Sequence, residues 1–453
     1  MSKRLDLTEG SILEKLLKLS LPIMGTSFIQ MAYNMTDMLL VGKMGSDAVA
    51  AVGTAGFYPW LGMALVMFSK VGGQIKVSQE IGEKNLEGTK SYIKSSLEII
   101  LMLSAVYTIL LLVFNKPFIG IFNLDSQNVI SMSRKYLIIV AIGTIFNFIN
   151  PVFTAIFNGL GNSKSPFRIN TIGLITNIIL DMVFIFGLGI IPAMGVIGAA
   201  IATVTAQAVV TSLFVLLILK QNDRLFKIHL FRNIEFAKYK VLFKLGLPVA
   251  VQNALFTGFS MIIGVMVAAF GTGAIAAQKV GSQIESISWI TADGIAAAIS
   301  AFIGQNFGAK KYNRMEKGYN MSILIAIIWG AVTSIILVFL CKPIFSIFIS
   351  EHDTILKGAD YLRILGYSQM FMCVEIIISG IFNGLGRTSI PPLISITFTG
   401  MRIPMAYILT NPQLLGLNGM WWSITISSII KGILLFTIFM FLFKTKKLYK
   451  VHK

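Results

Sequence analysis

The chain has 453 residues, 55% of them apolar and only 13% charged, with a mean hydropathy of +0.78. A soluble enzyme of this length carries about a quarter charged residues, so composition excludes a soluble fold. The formal charge of +18 does not point to nucleic acid, because the Lys and Arg residues collect in alternate loops between apolar runs.

The opening stretch "MSKRLDLTEGSILEKLLKLSLP" is polar and amphipathic and leads into the first apolar segment, so no cleavable signal peptide is expected. Six apolar segments follow, near 14–42, 50–80, 92–116, 133–160, 167–190 and 195–220. Residues 221–239 are polar and basic and read as a linker. Six further segments lie near 240–269, 274–307, 318–342, 358–385, 390–411 and 417–443. A helix needs roughly 20 apolar residues to cross a bilayer, and the pattern predicts an all-α polytopic membrane protein of twelve transmembrane helices.

The basic residues fall at Lys3 and Arg4, at Lys84, Lys90 and Lys94, at Lys164 and Arg168, from Lys220 to Lys244, from Lys310 to Lys317, and in the tail from Lys444. The intervening loops carry few, such as Lys43, Lys116 and Lys342. This positive-inside pattern predicts a multi-pass protein of the plasma or inner membrane with both termini in the cytoplasm. Anionic lipid headgroups are a lesser partner for the same charge.

The chain also repeats itself. "KLSLP" ending at Pro22 and "KLGLP" ending at Pro248 lie 226 positions apart, and that offset carries Gly45 onto Gly271, Ala51 onto Ala277 and Gln79 onto Gln305. One deletion shifts the offset to 225, after which Tyr136 meets Tyr361 and "FNGLGNSKSP" meets "FNGLGRTSIP". The expected organisation is an N-lobe (1–220), a cytoplasmic linker (221–239) and a C-lobe (240–453). Six spans per copy is even, so the two six-helix bundles should share an orientation and be related by a pseudo-twofold axis along the membrane normal. Parallel repeats of this kind place the substrate path between the halves.

An Asp at the centre of a spanning helix costs roughly 2.5–3.5 kcal/mol on insertion scales, which makes each one a functional candidate. Asp37 lies in the first span. Asp181 lies in the fifth, with Asn177 one turn earlier on the same face, and Thr203 lies in the sixth. Two carboxylates, an amide oxygen and a hydroxyl form an all-oxygen set suited to Na⁺ or to a shared proton. A purely structural role, as buried hydrogen-bonded residues, is the competing reading. Two converging acids with no Arg or Lys nearby in sequence favour a cation.

The chain resembles the MATE (multidrug and toxic compound extrusion) family over essentially its whole length. The resemblance rests on "LSLPIMGTSFIQMAYNMTDMLLVGKMG", "FNGLGNSKSP", "TNIILDMVFIFGLG", "GVIGAAIATVTAQ" and "GIAAAISAFIGQNFGAKK", in that order. It implies a V-shaped, two-lobed secondary active exporter that exchanges organic, cationic amphipathic compounds for Na⁺ or H⁺ by alternating access. It also implies that Asp37, Asn177, Asp181 and Thr203 form the N-lobe cation site, and that Pro22 marks where the first helix bends.

The second half departs from the first. Asp37 maps to Ile263, Asn177 to Arg402 and Asp181 to Ala406, so the cation set is not duplicated. Some MATE members use a seventh-span carboxylate, but "GLPVAVQNALFTGFSM" contains none. Glu285, Asp293, Glu375 and Arg402 are the candidates for the substrate cavity, with a structural Glu375–Arg402 ion pair as the alternative for the last two. A Met- and Phe-rich wall would suit bulky amphipathic cations.

A lipid-linked oligosaccharide or lipid flippase of the same superfamily is the rival. It calls for several cationic residues facing the cavity, whereas Arg402 and Lys431 stand here against five acids. No catalytic constellation is present: there is no DDxxD-like cluster or HExxH helix, and His229, His352 and His452 are scattered. The expectation is therefore a transporter and no enzyme, acting as a monomer, with no cofactor beyond the coupling ion. Cys341 and Cys373 show no metal or disulfide spacing and read as buried small apolar residues.

Overall fold

The computed structural model describes residues 4–189, 191–349, 351–446 and 448. Lys3, Ile190 at the predicted end of the fifth span, and His452 with most of the basic tail lie outside the described residues. The first half forms α1 (Ile12–Gly42), α2 (Ser46–Gly82), α3 (Leu86–Val113), α4 (Asn115–Gly120), α5 (Gln127–Ile142), α6 (Thr144–Gly159), α7 (Lys164–Phe186) and α8 (Val196–Gln221). A 3-10 turn (Arg224–Phe226) follows. The second half forms α9 (Phe236–Ala268), α10 (Thr272–Gly308), α11 (Tyr312–Phe339), α12 (Cys341–Ser346), α13 (His352–Gly366), α14 (Gln369–Gly384), α15 (Ile390–Gly400), α16 (Arg402–Leu409) and α17 (Leu417–Lys444).

The internal repeat is written into these elements. α2 and α10 each have 37 residues, α3 and α11 each 28, and α6 and α14 each 16. α4 and α12 begin 226 positions apart and α5 and α13 begin 225 apart, so the one-residue deletion falls in the loop that joins them. Left-handed positions recur in register: Gly45 with Gly271, Lys84 with Lys310, and Gly161 with Gly386. Pro22 and Pro248 each lie inside the first helix of their copy. The fourth span of each copy is a bent helix pair, 48° between α5 and α6 and 53° between α13 and α14.

Among the described residues, nine helices are long and apolar enough to cross a membrane, and eleven spans result when each bent pair counts as one. α1 is the twelfth predicted span. At 31 residues it is long enough, but Gln30, Asn34 and Asp37 dilute its hydropathy. The predicted span 390–411 is broken between α15 and α16, where Pro404 has no N–H to offer the carbonyl of Gly400.

By its contacts the chain divides into two compact units. One comprises the segment up to Glu9, Leu17–Ala250 and Gly308–Lys310; the other comprises Gly10–Leu16, Val251–Phe307 and the chain from Lys311 onward. The boundary therefore falls within α9, two residues past Pro248, and not at either end of the predicted linker. The reason is that the linker packs against the first unit. Leu225 and Phe226 of the 3-10 turn join the buried cluster of Phe157, Phe214 and Leu242, and the Phe226 ring stacks on Phe157 at 5.4 Å. A second cluster in this unit, including Leu40, Tyr58, Tyr136, Ile185 and Ala199, surrounds the level of the intramembrane acids. The second unit is built around Trp421, Phe345, Leu362 and Tyr361.

Candidate cation site

α7 and α8 form an antiparallel hairpin whose turn closes through an isolated bridge between Leu188 and Ile191. The helices touch at Gly198, where any Cβ would run into the carbonyl group of Phe184. Only glycine permits that approach. It sets Asp181 on α7 and Thr203 on α8 within the same layer, and α1 brings Asp37 to them.

The four predicted residues converge in this layer. The Thr203 hydroxyl donates to Asp37 Oδ2 at 3.4 Å. Asp181 and Asn177 lie beside the Asp37 carboxylate. Asn177 and Asp181 have no exposed surface, and Asp37 is half-buried. No Lys or Arg ion pair with Asp37 or Asp181 occurs among the described residues. The buried atoms Asp37 Oδ1, Asp181 Oδ1 and Oδ2, and both Asn177 amide atoms, Oδ1 and Nδ2, are without a hydrogen-bond partner.

Buried polar atoms in folded proteins are nearly always partnered, so a cluster of orphaned oxygens on two carboxylates and an amide has the chemistry to accept a positive guest. The donors are hard oxygens, which fit Na⁺ or a proton and not a soft transition metal. No group of three or more His, Cys, Asp or Glu able to hold a metal ion occurs among the described residues.

Two tyrosines complete the surroundings. Tyr33 lies one turn before Asp37 on α1, is 7% exposed, and its hydroxyl is also orphaned. Tyr136, on α5, is buried beside both acids. Neither stands out by hydropathy, although the i, i+4 spacing of Tyr33 and Asp37 is legible in the sequence. Tyr33 also lines a small cavity with Gln30, Asn170 and Gln207. Gln207 is one turn beyond Thr203, so the cavity continues the same polar faces of α1, α7 and α8. Pro22 lies inside an uninterrupted α1, where the Thr26 hydroxyl donates to its carbonyl at 3.0 Å.

The second unit treats its charges differently. Glu375 on α14 pairs with Lys431 on α17 at 3.1 Å, both side chains nearly buried. The alternative of a structural Glu375–Arg402 pair is therefore corrected: Lys431, not Arg402, takes the carboxylate. Arg402 donates instead to the hydroxyls of Ser427 at 2.6 Å and Ser428 at 3.0 Å, which α17 presents one turn before Lys431. Glu285 accepts from Tyr361 at 3.2 Å and Gln369 at 3.1 Å, so both of its oxygens are engaged inside the unit. Asp293 is exposed on α10. Ile263 and Ala406, at the registers of Asp37 and Asp181, are buried and apolar.

The MatE family model matches residues 22–183 and 248–408, once in each half. The chain is 28% identical over 415 residues to a probable multidrug resistance protein NorM of Thermotoga maritima, covering 90% of this chain and 88% of that protein. It is 27% identical over 438 residues to the probable multidrug resistance protein YoeA of Bacillus subtilis, covering 94% and 93%. A crystal structure of a MATE in the bent conformation superposes with a TM-score of 0.90 at 23% identity, covering 99% of this chain and all of that one.

Proposed function

The chain belongs to the MatE family, and from that premise we propose that it is a secondary active multidrug exporter driven by Na⁺ or H⁺. Its substrates are small organic molecules, amphipathic and cationic, moved by alternating access across the plasma or inner membrane with both termini in the cytoplasm. The probable multidrug resistance proteins to which it is similar over nine-tenths of its length support multidrug export. The observation that carries the coupling is the cluster of orphaned oxygens on Asp37, Asn177 and Asp181 beside Thr203.

Two carboxylates this close in a low-dielectric bundle need a compensating positive charge. No side chain among the described residues supplies it, so a mobile cation must. Loading and release then differ in free energy between two conformations of the first unit, and that difference links ion occupancy to substrate affinity. The small cavity that Tyr33 lines with Gln30, Asn170 and Gln207 lies on the same helix faces. The engagement of Lys431 with Glu375, and of Arg402 with two serines, weighs against the flippase reading, which calls for free cationic side chains.

The test is transport of a cationic dye into proteoliposomes under an imposed Na⁺ gradient and, separately, an imposed pH gradient. Transport under one gradient and not the other assigns the ion. Transport under neither would remove the coupling reading.

A further inference from the structure

The segment joining α8 to α9 is clamped to α3 by a carboxylate that the transport reading does not use. Glu98 has no exposed surface. It accepts from the Phe231 backbone N–H at 2.7 Å and from the Tyr239 hydroxyl at 2.8 Å, and it pairs with Lys94 at 3.6 Å. Lys94 in turn donates to the carbonyls of Arg232 and Asn233, and Ser91 donates to Glu235. Phe231 and Asn233 both adopt left-handed backbone, φ 59° and 53°. For a bulky residue such as Phe231 that conformation is strained.

The strain has an outcome. It turns the Phe231 N–H inward to Glu98 and leaves its ring 50% exposed. Leu230, Ile234 and Phe236 are exposed beside it, Phe236 by 75%. A strained backbone that only held phenylalanines in bulk water would have no physical rationale, so the depth of the segment decides what the rings meet. α3 has 28 residues, about 42 Å of helix, against a hydrocarbon core of about 30 Å. Its apolar run is 99–114, and the clamp grips Ser91, Lys94 and Glu98 immediately before that run. The clamp thus lies at the end of the apolar run of α3, and aromatic residues are favoured at the boundary between acyl chains and headgroups.

Charge points the same way. Asp223 pairs with Arg4, and Glu235 is held by Ser91 and by Lys238 at 3.0 Å. Ser91's hydroxyl, with Lys238 beside it, keeps Glu235 below the usual carboxylate range. Both linker acids are thus engaged within the protein, while Lys227, Arg232 and Lys240 are exposed around the apolar side chains.

We propose that residues 227–240 form an interfacial anchor, with Leu230, Phe231, Ile234 and Phe236 inserted at the bilayer boundary and Lys227, Arg232 and Lys240 binding anionic phospholipid headgroups. The anchor is independent of the coupling ion. Its lipid ligand is a membrane surface, and the clamp on Glu98 fixes it to the first unit.

Both native cysteines are buried, so Phe236→Cys in the full chain accepts a single environment-sensitive fluorophore. The labelled protein is reconstituted in phosphatidylcholine vesicles with and without phosphatidylglycerol. The expected result is blue-shifted emission, quenched by spin-labelled lipid and shielded from iodide, with the stronger shift in phosphatidylglycerol. Lys227→Gln, Arg232→Gln and Lys240→Gln together should abolish the difference between the two lipids. Emission that stays open to iodide in both lipids overturns the anchor, as does a label shielded from iodide and untouched by spin-labelled lipid. Equal depth in both lipids overturns the headgroup assignment. Ile234→Cys repeats the measurement should Phe236→Cys not fold.

Discussion

Lys431 on α17 holds the carboxylate of Glu375 on α14 at 3.1 Å, inside the second unit and away from solvent. The pair replaces nothing in the first unit, since the register of Glu375 falls there on Asn150, which binds Gln207 and Thr211 through neutral hydrogen bonds. Arg402, at the register of Asn177, is likewise anchored to serines. One copy of the repeat thus carries acids with no Lys or Arg partner among the described residues, and the other carries Glu375 with a tethered one.

The tethered pair makes a prediction about stability. Lys431→Met leaves Glu375 buried and unpaired, which should destabilise the protein by about 3–5 kcal/mol. The double variant Glu375→Gln with Lys431→Met removes both charges and should recover most of the loss. Thermal unfolding of the purified protein in detergent measures both. A double variant no more stable than the single one would show that the cost lies in packing and not in charge.

Glu98 makes a local prediction. Glu98→Gln keeps the shape but gives up the charge that attracts Lys94 and one of the two acceptor oxygens used by Phe231 and Tyr239. Losing a charged buried acceptor costs about 1–3 kcal/mol, here confined to the segment 227–240. Trypsin should cut after Lys227 and Arg232 several times faster than in the parent, with the melting temperature little changed. Unaltered cleavage would mean that the segment is held by something else.

Much of this architecture is legible in the amino-acid sequence. A register held at an offset of 226, and of 225 after one deletion, requires two like halves, and the helix lengths repeat because identical spacing of turn residues ends each helix at the same place. Asp37 and Asp181 stand out because a carboxylate within an apolar run is costly. Tyr33 and Tyr136 do not, since a tyrosine in such a run is unremarkable by hydropathy and only its depth beside the acids gives it a role. The partner of Glu375 is ambiguous in the sequence because Arg402 and Lys431 lie on adjacent helices, and side-chain reach decides between them. Glu98 is hidden for the opposite reason: near Lys90 and Lys94 it reads as part of a solvated helix end, and the clamp is non-local.

The recurring "FNGLG" makes a further prediction at its first copy. Gly161 has φ +79°, its carbonyl accepts from the Leu5 N–H at 3.1 Å, and a Cβ there would collide with the Leu5 carbonyl oxygen. Gly161→Ala should cost about 1–2 kcal/mol for the left-handed backbone alone and should also displace the segment at Leu5. A lowered melting temperature together with faster proteolysis after Arg4 is the expected pair of results. Unchanged stability would mean that the turn tolerates a side chain.

The coupling prediction concerns Asp37, Asp181 and Thr203 together. Asp37→Asn removes one of the two charges that require a cation, so a gradient should no longer gain purchase on the first unit. Gradient-driven dye transport should fall to the level of empty vesicles while the protein remains folded in the membrane. Asp181→Asn should do nearly the same, because the remaining carboxylate can accept the Thr203 hydroxyl and the Asn177 amide without any ion. Thr203→Ala is the graded case. It removes one hydrogen bond of 3.4 Å, worth about 0.5–1.5 kcal/mol, and should raise the half-saturating cation concentration by up to about tenfold while leaving the maximal rate largely intact. An Asp37→Asn protein that transports at the parental rate under the same gradient would separate these acids from coupling altogether.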